Sequence, residues 1–155
     1  MNGMTNKIAL RDAKSDDYEF AFEAKKQAMR ETIESKWGWD EAFQLALHEQ
    51  RWSEKPWFII ENDGDAIGTV SLHQIDDKTL RFGEFYLLDS CRNQGIGTGV
   101  LVDTLKDCDA KGLRVILEYL HWNPVGSLYK RHGFEVTSKN EIHYFMERIT
   151  PVSLG

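Results

Sequence analysis

The stretch Cys91–Leu101, CRNQGIGTGVL, sets Arg92 ahead of three glycines at every second position, Gly95, Gly97 and Gly99, and helix-forming sequence follows. Glycine destabilises a helix interior by about 0.5–1 kcal/mol relative to alanine, so three of them at a helix start require compensation. Anion binding is the chemistry such a pattern supports. The first-turn N–H groups of a helix have no intrahelical partners, the helix dipole adds partial positive charge, and bare backbone lets a phosphate come close. Arg92 brings a full positive charge to the same place. A P-loop would need a lysine after the last glycine, and none stands there. A GxGxxG fingerprint is met by Gly95 and Gly97, but Val100 occupies its third glycine position. Glu118 lies about 20 residues on, as that fingerprint wants, yet the strand before the loop belongs to a meander rather than a βαβ unit. The pattern R/Q-x-x-G-x-G is matched in full by Arg92, Gly95 and Gly97. A purely structural account stays open: the glycines would let the helix pack closely on a sheet.

The elements that must carry this loop are legible in hydrophobic period and turn chemistry. Lys7–Ala13 alternates like a half-buried strand. Ser15 and Asp16 predict a helix start, with the helix running to about Ser35 and broken at Gly38 between Trp37 and Trp39. Asp40 predicts the cap of a second helix to about Trp52, with Phe43, Leu47 and Trp52 inward. Trp57–Ile60, Ala66–Ile75 and Leu80–Leu88 read as three strands of a meander, Asp63–Gly64 being a hairpin signal. The helix after the glycines runs to about Lys111, stopped by Gly112, and presents Ile96, Val100, Leu101, Leu105 and Cys108 on one side. Leu113–Leu120 has the apolar run of a central strand. Asn123–Pro124 predicts the start of a short helix ending at Gly133, and the segments FEVTS and IHYFMERI predict a closing hairpin. Strand, two helices, meander, helix, strand, helix, hairpin is the order of one mixed α/β domain over 1–155.

Composition narrows the function. At 155 residues, 41% hydrophobic and 28% charged, the chain has the make-up of a globular domain. A net charge of −6 argues against a nucleic-acid partner and favours a cationic or neutral substrate. No apolar run has the length of a membrane span, and the first residues lack the apolar core of a signal peptide, so a cytoplasmic place and no membrane partner are expected. Cys91 and Cys108 form no metal-ligand spacing and read as reduced structural thiols.

Two segments together resemble a known family. FGEFYLLDSCRNQGIGTGVL is similar to the acetyl-CoA-binding motif of the GNAT acyltransferases, and HWNPVGSLYKRHGF is similar to that family's downstream NPxAxxLYxxxGF segment, at the family's separation. The likeness covers most of the chain and is strongest from about Ile59 to Met146. Asp89 stands where the family usually has proline, Asn93 where it has glycine, and Gly126 where it has alanine.

The resemblance implies a single GNAT-like domain: a central, mostly antiparallel sheet with a splayed parallel pair and helices on both faces. It implies that backbone amides of Arg92, Asn93, Gln94, Gly95, Ile96, Gly97 and Thr98 hold the pyrophosphate of acetyl-CoA. Leu87 and Leu88 would lend backbone groups to the pantetheine and the acetyl carbonyl, and Asn123 a cofactor contact. Tyr129 matches the tyrosine whose hydroxyl lies near the CoA sulfur, where a donor helps the thiolate leave; its alternative is a core aromatic. Glu84 is the candidate base, among Leu80, Phe82, Tyr86 and Leu88 by period two, and apolar neighbours predict a raised pKa. Glu118 and His73 are its rivals. Trp37, Trp39 and Tyr86 are candidates for the acceptor site, with Glu34, Asp40 and Glu41 to attract an ammonium; packing and helix capping are their structural alternatives. The expected activity is acetyl transfer from acetyl-CoA to a primary amine by direct attack, without metal, the acceptor being a small cationic amine or a peptide N-terminus. The rival is a non-catalytic acyl-CoA-binding or regulatory module, since fold does not dictate function. Homodimers are common among relatives.

Overall fold

A computed structural model describes residues 7–150. In chain order the elements are β1 (Ile8–Asp12), α1 (Tyr18–Trp37), α2 (Glu41–Glu54), β2 (Phe58–Asn62), β3 (Asp65–Asp76), β4 (Thr79–Leu87), α3 (Ile96–Lys111), β5 (Arg114–Leu120), α4 (Gly126–Arg131), β6 (Glu135–Lys139) and β7 (His143–Arg148). Single 3-10 turns occupy Ser15–Asp17 and Asp89–Cys91. The seven strands form a sheet in the order β1-β2-β3-β4-β5-β7-β6. Thr79–Arg81 pair in parallel with Arg114–Ile116, as the α3 crossover requires. β1–β2, β2–β3, β5–β7 and β6–β7 are antiparallel. The mixed α/β architecture is the one expected.

The chain gathers into two compact units. One runs to Ser71 and takes in Glu84–Ile96; the other is Leu72–Gly83 with the chain from Gly97 onward. In the first, Ala21, Phe22, Ala24 and Ile33 of α1 are buried, as are Ile59, Ile60, Ile67 and Val70 of the strands. Tyr18, Phe22, His48, Trp52 and Trp57 form a continuous aromatic group with ring centroids 4.7–5.6 Å apart. The β2–β3 hairpin turns through Asp63 (φ 52°) and Gly64 (φ 88°), the two left-handed residues such a turn needs. In the second unit Val100, Leu101, Leu105 and Cys108 of α3 are buried together with Leu113, Val115, Leu117, Phe134 and Met146. Cys91 and Cys108 are free thiols.

Two local expectations are corrected. α1 begins at Tyr18, and Asp17 rather than Ser15 or Asp16 organises its entry. The Asp17 carboxylate accepts the Lys14 N–H at 2.8 Å and the Arg11 guanidinium at 2.8 and 3.0 Å. That bidentate pairing holds the Asp17 carboxyl below the usual carboxylate range. α2 does start at Asp40, whose Oδ1 accepts the Phe43 N–H at 3.1 Å. Phe43, however, is 61% exposed, and Gln44 and His48 are the buried residues of this helix. A hydrophobic count misses this face because the positions that turn inward are polar.

Candidate active site

Gly95 has φ 78° and Asn93 φ 60°. Glycine is the usual residue at the Asn93 position because the loop turns left-handed there; asparagine is among the few side chains that tolerate that region. A Cβ built on Gly95 or on Gly99 would meet nothing within 4 Å. Close packing therefore does not explain these two glycines, and the space above them is open. Arg92 stays in the loop, its Nε donating to the Leu87 carbonyl at 3.4 Å. Its Nη2 is buried without a hydrogen bond, although Asp89 Oδ1 lies 3.2 Å away as a charge partner. Open backbone at a helix start fits a pyrophosphate, while the Arg92 guanidinium is turned toward Asp89 and the Leu87 carbonyl. Asp89 replaces proline for a visible reason: its N–H donates to Gln27 Oε1 at 2.9 Å, a bond proline cannot make.

β4 leads into this loop, and Glu84 sits on it three residues before Leu87. Glu84 adopts φ 46°, left-handed backbone inside a strand. Such an outlier costs on the order of 1–3 kcal/mol and persists where its surroundings over-determine it. Here Thr69 Oγ1 donates to the Glu84 carbonyl at 2.8 Å. On β3, a side chain at Gly68 would collide with the Tyr86 carbonyl. The Glu84 carboxylate is nearly enclosed, 6% exposed, and takes Lys55 Nζ at 2.8 Å on Oε2, with Arg51 Nη1 at 3.9 Å. Tyr86 donates its hydroxyl to Oε1 at 3.3 Å. Burial alone would raise this carboxyl, but Arg51, Lys55 and Lys25 outweigh it and the pKa is lowered. The expectation of a raised pKa is thus reversed. Period two sees only β4 neighbours, whereas the deciding charges come from α1 and the end of α2. Further along, the Leu88 N–H donates to the Ile67 carbonyl at 2.9 Å.

In the second unit Tyr129 is 7% exposed. Its ring is fixed by Phe82, Tyr119 and Phe134 at 6.4, 6.1 and 5.6 Å. No described residue hydrogen-bonds its hydroxyl, and burial pushes the phenol above its usual range, so it stays protonated. Gly126 replaces alanine because the Tyr119 ring already fills the space of a Cβ. Asn123 Oδ1 accepts the Val125 N–H at 3.0 Å and closes a turn, but α4 begins only at Gly126 with Val125 ahead of it and no side-chain cap, so Asn123 is not the helix cap expected of it. Glu118 is engaged by Arg81, with His143 Nε2 at 3.7 Å. His73 is half-buried on β3.

Trp37 is 53% exposed, while Trp39 is held by the helices. Its Nε1 donates to Glu41 Oε1 at 2.7 Å, and the Arg30 guanidinium lies 5.9 Å from its ring. Glu41 also takes Lys26 at 2.8 Å, and Glu34 takes Arg30 at 3.2 Å. Two of the three carboxylates expected to attract an ammonium are therefore paired within the chain. Sequence reasoning missed Lys25, Arg51 and Lys55. The available signal was the spacing Gln44, His48, Arg51, Lys55, a polar stripe at helical period on α2 and its end. Among the described residues no group of three His, Cys, Asp or Glu side chains is placed to hold a metal ion.

The fold has many relatives among solved structures. The PaiA N-acetyltransferase of Thermoplasma acidophilum in complex with coenzyme A superposes with a TM-score of 0.74 at 20% identity, over 92% of this chain and 99% of that one. The ribosomal-protein-S18-alanine N-acetyltransferase of Escherichia coli gives 0.69 at 13% identity, over 93% and 94%. A GNAT family acetyltransferase of Elizabethkingia anophelis with acetyl-CoA bound gives 0.65 at 14%, over 92% and 97%. No curated protein matches the sequence. The model of the acetyltransferase (GNAT) domain matches residues 53–136. That span is more than half the chain and holds the glycine loop, Glu84 and Tyr129, so the chain belongs to the GNAT acetyltransferase family.

Proposed function

We propose that the chain transfers the acetyl group of acetyl-CoA to a primary amine by direct attack. The observation that carries this reading is the open backbone over Gly95 and Gly99 at the start of α3. Amides of Arg92–Thr98 and the first turn of α3 would take the pyrophosphate, a helix N-terminus being suited to it. Leu87 and Leu88 would flank the pantetheine by their backbone, and Asn123 would contact the cofactor while capping its turn. Several solved relatives carry CoA or acetyl-CoA, which supports the same assignment.

In the proposed reaction the neutral amine nitrogen forms a bond to the acetyl carbon, and the carbon–sulfur bond breaks with its electron pair on sulfur. Tyr129 is the donor to that sulfur: its hydroxyl is protonated and hydrogen-bonded to no described residue. The amine's proton goes to water. Glu84, ionised and tied to Lys55, is a weak base; its place in the site is to hold Lys55 and orient Tyr86. The acceptor is a small amine, cationic in solution, or a peptide amino terminus, with Trp37 and Trp39 near its entry; the net charge of −6 supports it. Free thiols at Cys91 and Cys108 suit a reducing, cytoplasmic setting. The test is release of free CoA thiol from acetyl-CoA over a panel of amines, amino acids and peptides, with the acetylated product identified by mass. Binding of acetyl-CoA without thiol release on any amine would replace transfer by a binding role.

A further inference from the structure

Three cations surround the single carboxylate of Glu84. Lys55 Nζ lies at 2.8 Å and Arg51 Nη1 at 3.9 Å. Lys25, from α1, is 2% exposed and interacts electrostatically with Arg51, Lys55 and Glu84. Among the described residues its ammonium makes no hydrogen bond or ion pair, and the Arg51 guanidinium has no anion other than distant Glu84. His48, the next titratable group on this face, is pushed down by burial and is neutral at pH 7. A buried ammonium that shares a single carboxylate with two other cations is unfavourable unless it loses its proton or gains an anion. Burial brings Lys25 down only to about 8, so it is still charged at neutral pH. Arg51 and Lys55 are 34% and 17% exposed, so the cluster is reached by solvent on their side.

We propose that Lys25, Arg51 and Lys55 seat an oxyanion borne by the acceptor, a carboxylate or a phosphate ester, so that the acceptor is an amine that is zwitterionic in water. This rests on the acetyl-transfer reading above and replaces its cationic acceptor by one whose ammonium is balanced by an oxyanion. Of the carboxylates around Trp39, Glu34 and Glu41 are already paired, and Asp40 caps α2. Charge-assisted hydrogen bonds to two unspent donors are worth roughly 10- to 100-fold in kcat/KM.

The experiment uses the full chain, acetyl-CoA and two matched acceptor pairs: alanine against ethylamine, and phosphoethanolamine against ethanolamine. The expected result is a preference of at least about 10-fold for the oxyanion-bearing member of one pair, and the pair that shows it tells carboxylate from phosphate. Lys25→Met and Arg51→Gln should each cut that preference to within about 2-fold and leave the KM for acetyl-CoA unchanged. Equal use of both members of each pair overturns the inference while leaving acetyl transfer standing. Should no amine be acetylated, the transfer reading fails and a binding arm decides the seat. In the Gly97→Glu background, which blocks the glycine loop, inorganic phosphate should raise the Tm of the parent cluster more than that of Lys25→Met. Equal shifts there overturn the inference as well.

Discussion

Replacing Glu84 by glutamine removes one charge and almost no volume from the cluster. The Glu84 side chain is 6% exposed and its Oε2 holds Lys55 at 2.8 Å. Removing one partner of a buried pair costs about 3–5 kcal/mol, because the other charge is left uncompensated. Arg51 is 34% exposed and solvent screens its share, so the lower end, about 3 kcal/mol, is expected. Glutamine occupies the same left-handed backbone, so strain cancels from the difference. The pKa of Glu84 is lowered in the fold. Its contribution is therefore complete above the unfolded value, about 4.3, and disappears as pH falls through the lower folded value. Parent and variant should converge on the acid side. Lys25 provides a second lever. Its pKa falls from 10.5 to about 8, a penalty on the charged form of roughly 3 kcal/mol. The unfolded chain binds a proton that the fold has released, so parental stability should rise between about pH 8 and 10.5. Lys25→Met should abolish that rise and restore part of the loss in the Glu84→Gln background. Urea unfolding followed by tryptophan fluorescence measures all of this, since Trp52 and Trp57 belong to the neighbouring aromatic group. A Glu84→Gln cost under about 1 kcal/mol at pH 7, or one that persists unchanged at pH 3, would refute the reasoning.

Gly99→Ala should stabilise the free protein by about 0.5–1 kcal/mol, since a helix gains alanine and the methyl meets nothing; if the open space is a ligand's, acetyl-CoA should bind more weakly, as titration calorimetry will show. Acetyl-CoA at 100 times its Kd should stabilise the parent by about 2.7 kcal/mol in thermal unfolding, and Gly97→Glu should erase this; a folded variant with the parental shift would displace the site. Tyr129→Phe should lower kcat by up to roughly 10²–10⁴-fold with acetyl-CoA affinity nearly unchanged; an unchanged kcat with chemistry shown to limit the rate would remove Tyr129 from the reaction.

Local codes were readable in the chain alone. The turn at Asp63–Gly64, the cap at Asp40, the break at Gly38 and the stop at Gly112 each depend on residues adjacent in sequence, whose conformational preferences act within a few bonds. The order of elements followed from these punctuation marks and from hydrophobic period, and the glycine loop from spacing alone. The departures from the family pattern had causes invisible without coordinates: the Asp89 N–H donates to Gln27, far along the chain, and Gly126 yields to the Tyr119 ring. The burial of Gln44 and His48 instead of Phe43 also needed the fold, because which face of α2 turns inward depends on what α1 and β2 present to it. Above all, the ionisation of Glu84 was decided by tertiary structure. Its strand neighbours predict a carboxyl raised by apolar surroundings, but a charge acts through space, and folding brings Lys25 from α1 and Arg51 and Lys55 from α2 and its end to that one carboxylate.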